Sequence, residues 1–194
     1  RFAVFLTNMT AEAGSDAQMP LFLAVMWGWA KLFGLDEWTL RAINFVWILP
    51  GLWVFANGRA ERLVVAATSA FLWYYLDEAR PYGMQIGASL LAFGLLERLL
   101  ANAATARAAL LRPGEAWLLA LALVVLAGST MLGAIWAGAA VLGAALALPP
   151  RRWRQGGRGL ALPAAAALAL CLPLGGYYLW TVLGGAGGSR VGTT

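Results

Sequence analysis

Ala116–Leu148 contains no charged side chain over about 33 consecutive residues, and this limits the possible folds more than any other feature. One straight helix of that length would be about 50 Å long, well beyond a hydrocarbon core of about 30 Å even with tilt. Gly128-Ser129-Thr130 near its middle suits a chain reversal, so two membrane helices are expected, near 116–128 and 130–148. The whole chain agrees with the membrane reading. Hydrophobic residues make up 61% and charged residues 12%, against about 45–50% and about 25% in soluble domains. The ten Trp and five Tyr suit membrane–water interfaces, where amphipathic rings collect.

The expected fold class is therefore all-α, a polytopic membrane protein of about six transmembrane helices in one domain over residues 1–194. Thr7–Met19 is polar and reads as an outer loop that extends through residue 39. Within it Pro20–Gly34 has about 14 apolar residues, too few for a comfortable span. With Trp27, Trp29 and Lys31 it suits an interfacial helix. Asp36 is placed to cap the next helix, with Glu37 and Arg41 paired one turn apart. Further spans are expected near 40–57, with a kink at Pro50, and near 63–76, 82–100 and 160–183. Arg1 stands where a Met would open a chain, and Gly184–Thr194 is a small-residue tail. A piece of a longer protein is the expectation.

Charge placement gives an independent topology. Arg59, Arg62, Arg98, Arg107, Arg112, Arg151, Arg152, Arg154 and Arg158 fall on one side, nine of 14 basic residues. Glu12, Asp16, Asp36, Glu37, Asp77 and Glu78 fall on the other, six of nine acids. The positive-inside rule makes the arginine side cytoplasmic and the acidic side outer. Basic residues scattered through short loops do not form the single cationic face of a nucleic-acid reader. No histidine is present, which excludes Ser-His-Asp and Cys-His catalysis and HExxH zinc sites. The one cysteine, Cys171, cannot form an internal disulfide.

Chemistry is left to one outer polar island, Asp77-Glu78-Ala79-Arg80-Pro81-Tyr82, with Gln85 a turn further on. Pro81 suits the first position of a helix. A helix N-terminus beside an arginine fork seats a phosphate. The plainer alternative is a Glu78–Arg80 ion pair at a helix boundary.

Three strings precede the island: Asp16-x-Gln18-Met19-Pro20-Leu21-Phe22, Trp29-x-Lys31-Leu32-Phe33-Gly34 and Glu37-Trp38-x-Leu40-Arg41. Their order resembles the first outer loop of bacterial membrane glycosyltransferases of the GT-C fold, the protein mannosyltransferase and aminoarabinose transferase type. Glu78-Ala79-Arg80-Pro81-Tyr82 is similar to a second outer-loop motif of the same group, and the likeness runs from Asp16 to Leu148. The histidine that commonly opens the family's interfacial helix is replaced by Gln18-Met19-Pro20.

The resemblance implies transfer of a sugar from a polyprenyl-phosphate donor to a lipid or protein acceptor at the outer face of an inner membrane. It implies Asp16 as general base with Glu78 as the second candidate, Arg80 on the donor phosphate, and Tyr82 and Gln85 lining the pocket. No cofactor is implied, and nothing in the sequence supports a divalent metal. The partners implied are the donor, the acceptor and membrane lipids, without nucleic acid. Two other classes compete: a multi-span transporter or flippase-like module, disfavoured by the scarcity of charges inside the spans, and a non-catalytic membrane subunit.

Overall fold

The structure, a computed structural model, describes residues 19–105, 109–152 and 158–184. Among these, the regular elements are all helices. They are α1 (Pro20–Phe33), α2 (Glu37–Ala56), α3 (Ala60–Ala67), α4 (Ala70–Leu76), α5 (Pro81–Ala104), α6 (Pro113–Ser129), α7 (Met131–Ala147) and α8 (Arg158–Gly184). Three segments are long and apolar enough to cross a membrane: Glu37–Ala56, Pro81–Ala104 and Gly159–Val182. Helices α6 and α7 have 17 residues each, about 25 Å, somewhat less than the hydrocarbon thickness.

The centre of the molecule is a pair of parallel helices, α2 and α5. Asn44 lies against Gly83, Gly51 against Gly87, and Val54 against Gly94, so both chains run the same way. The glycines permit that approach. A Cβ added at Gly87 would collide with the backbone of Trp47, and one at Gly83 with the Asn44 side chain. Gly83 and Gly87 stand four apart on α5, the small-residue spacing that lets membrane helices touch backbone to backbone. Pro50 lies inside α2, which stays helical from Glu37 to Ala56.

Parallel neighbours require the chain to return between them, and residues 60–76 do so. Arg62 pairs with Glu97 at the far end of α5, while Asp77 pairs with Arg41 near the start of α2. The returning segment differs from the single span expected near 63–76. It is two short helices, α3 and α4, separated at Thr68 and Ser69. The reason is local hydrogen bonding. The Thr68 hydroxyl donates to Val65 O at 3.0 Å, and the Trp73 indole N–H donates to Ala67 O at 2.6 Å. Side chains thus take carbonyls that a continuous helix would use itself.

The long uncharged run breaks at Thr130, whose extended backbone separates α6 from α7. The Thr130 hydroxyl accepts the Gly133 N–H at 2.8 Å and caps α7. Ala140, Ala144 and Leu148 return to Ala116 and Leu119, which makes α6 and α7 an antiparallel hairpin. Helix α8 runs alongside α6, with Leu160 in the cluster containing Leu119 and the Tyr178 hydroxyl donating to Ala127 O at 2.9 Å. Helix α1 packs against the C-terminal part of α6. Phe22 is buried in the cluster of Val125, Leu126 and Ala127, and the Trp29 indole N–H donates to Thr39 O at 2.8 Å.

The result is a helix bundle with two polar ends. Asp36, Glu37, Arg41, Asp77, Glu78 and Arg80 gather at one, the island end. Arg59, Arg62, Glu97, Arg98, Arg112 and Glu115 gather at the other, the arginine end.

Candidate functional site

Asn44 builds the island from below. It sits on α2 among apolar neighbours with no exposed surface. Its amide nitrogen donates to the backbone carbonyls of Tyr75 at 3.2 Å, Leu76 at 3.0 Å and Glu78 at 2.8 Å. Carbonyls left over at the end of α4 need such partners, because a buried unpaired carbonyl costs about 1–3 kcal/mol. Arg41, one turn earlier on α2, bridges Glu37 and Asp77. The loop from Asp77 to Arg80 is therefore anchored twice on α2, once through its backbone and once through a carboxylate.

On this anchored loop Arg80 precedes Pro81, the first residue of α5. Arg80 Nε lies 3.5 Å from Glu78 Oε2, a loose ion pair in which the Arg80 side chain stays 64% exposed and that of Glu78 26%. The long contact leaves Glu78 Oε2 buried without a hydrogen-bond donor. A carboxylate oxygen with a vacant lone pair can accept a proton from a hydroxyl brought to it. An exposed guanidinium at a helix N-terminus can take an anion. Both features lie within three residues.

Of the sequence-predicted site residues, Glu78 and Arg80 pair here, and Tyr82 stands two residues on, in the first turn of α5. The Tyr82 ring packs on Tyr75 with centroids 4.5 Å apart. Gln85 is one turn deeper and structurally engaged, its Oε1 accepting the Thr130 hydroxyl at 3.1 Å. Asp16 lies outside the described residues. Tyr75, Tyr82 and Gln85 form the polar mouth of a groove of about 550 Å³ between α4, α5 and α7, whose walls continue through Ile86, Phe93 and Trp136. Among the described residues, no group of three or more carboxylates, cysteines or histidines converges as metal ligands would.

Sequence reading did not single out Asn44, although its signal is simple. It is the one polar side chain in Ala42–Pro50, and an amide placed in an apolar helix must find partners. The Arg41–Asp77 contact joins residues 36 apart in the chain and has no local signature. No family model, no curated protein and no solved structure matches this chain.

Proposed function

We propose that the island is the donor end of a membrane glycosyltransferase, which moves a sugar from a polyprenyl-phosphate carrier to a lipid or protein acceptor. One observation carries the reading: an exposed arginine and a carboxylate with an unpartnered oxygen stand two and four residues before Tyr82, which lines an apolar groove. A polyprenyl-phosphate sugar needs this combination, an anion seat beside a channel for hydrocarbon. Arg80 binds the phosphate, Tyr82 and Gln85 flank it, and the chain follows Ile86 and Phe93. A carboxylate at the same mouth takes the acceptor's proton as its oxygen attacks the sugar carbon, and the carrier phosphate leaves with the bonding electrons. We assign that step to Asp16 on the outer loop or, among the described residues, to Glu78. The six-span arrangement belongs to the same proposal, with α6 and α7 crossing as a pair and α3–α4 as a broken return. The island end faces outward from the inner membrane.

A photoreactive polyprenyl-phosphate sugar tests the donor site. Crosslinks are expected on peptides from α4 and the first half of α5, falling severalfold in Arg80→Ala. Labelling elsewhere in the bundle, or equal labelling in the variant, contradicts the assignment.

A further inference from the structure

The opposite end of the bundle holds a second polar cavity, of about 640 Å³, lined by Asn57, Arg59, Glu97, Arg98, Arg112 and Glu115 among others. Its charges do not balance. Glu97 is held by Arg62 through two contacts, and Glu115 by Arg98 at 3.1 Å. Among the described residues, no carboxylate lies within ion-pair distance of Arg59 or Arg112. Both arginines are exposed. Arg98 adds an unmet donor, since its Nε is buried and has no hydrogen-bond partner. Three guanidinium groups therefore border one cavity, and those of Arg59 and Arg112 have donors to spare, which suits an anion with several oxygens.

The cavity is not closed off from the lipid side. Glu97 and Ala101 line it, and they also line an apolar groove of about 590 Å³ formed with Phe93, Leu100, Trp136 and Gly143. A cationic cavity and a hydrocarbon groove thus meet across one turn of α5, near the end of a helix long enough to span the bilayer. A free phosphate would use only the first, whereas an anionic phospholipid would use both. Basic pockets between membrane helices at a bilayer surface have this form.

We propose that the arginine end is a binding site for an anionic phospholipid. The phosphate lies among Arg59, Arg98 and Arg112, and one acyl chain lies in the groove past Leu100 and Trp136. The arginine cavity lies at the opposite end from the island, the two apolar grooves share Phe93 and Trp136, and the proposal does not depend on the transferase reading.

The test uses the full chain in nanodiscs and measures retention of spin-labelled phosphatidylglycerol against phosphatidylcholine with the same chains. Phosphatidylglycerol is expected to be retained preferentially, with the preference falling about fivefold for each arginine removed in Arg59→Gln and Arg112→Gln. Millimolar inorganic phosphate should leave that preference in place. Neither substitution breaks a recorded ion pair, and Arg59→Gln alone suffices where the double variant does not fold. Equal retention of the two lipids, or a preference unchanged in Arg59→Gln, overturns the proposal. Loss of the preference to inorganic phosphate assigns the cavity to a free anion and overturns the lipid assignment.

Discussion

Asn44 converts a polar residue in an apolar helix into the support of the island, because its amide serves three carbonyls at once. Asn44→Leu keeps the volume and removes the donors, so about 1–3 kcal/mol of stability should be lost. Asn44→Asp should be no better, since an ionised carboxylate offers no donor to a carbonyl. Thermal unfolding in detergent checks both, and a variant as stable as the wild type would refute this role. Asp36 gives a pH-dependent counterpart. Its carboxyl is held below the ordinary 3.8, first by the Thr39 hydroxyl and then by the Thr39 backbone N–H. A depressed folded value means that the cap contributes above pH 3.8 and is lost as pH falls through the lowered value. The stability gap between wild type and Asp36→Ala should thus be present at neutral pH and close under strong acid. A gap that persists in acid would show that the effect of Asp36 is not its charge.

At the scale of helices, the decisive contact is the glycine seam between α2 and α5. Gly87→Leu forces a side chain into the Trp47 backbone, and overpacking of this kind costs about 1–3 kcal/mol or more. Gly138→Ala on α7 meets nothing within 4 Å and should be neutral or slightly stabilising through helix propensity. Equal behaviour of the two variants in folded yield would contradict the parallel pairing. The helices themselves were legible in the sequence wherever composition and punctuation agree: Pro20 and Pro81 each open a helix, Asp36 caps one, and the reversal at Gly128-Ser129-Thr130 falls at Thr130. The break at Thr68-Ser69 was not legible, because it depends on the indole of Trp73 reaching back to Ala67. The α2–α5 direction follows from the charge topology, which puts Asp36 and Glu78 on one side and Arg59 and Arg98 on the other, but their contact does not, because it joins residues far apart in the chain.

Across the whole molecule, charge segregation read from loops reappears as two polar ends, Arg41 and Asp77 at one and Arg62 and Glu97 at the other. Oriented by its arginines, the chain should expose Ala79→Cys to an impermeant maleimide outside intact cells, in a Cys171→Ser background. Asn57→Cys should label only after permeabilisation. Labelling of both from outside would contradict the orientation. The island itself was half legible: Glu78, Arg80 and Tyr82 are near one another in sequence, but the groove that Tyr82 lines is assembled from α4, α5 and α7. The most direct measurement is transfer of radiolabelled sugar from a polyprenyl-phosphate donor in membranes containing the full chain, with Arg80→Ala and Glu78→Gln alongside. Label should enter lipid or protein and fall about a hundredfold or more in Arg80→Ala. In Glu78→Gln the loss should be of similar size if Glu78 is the base, and small if Asp16 is. No transfer from any donor, or undiminished transfer in Arg80→Ala, would contradict the account.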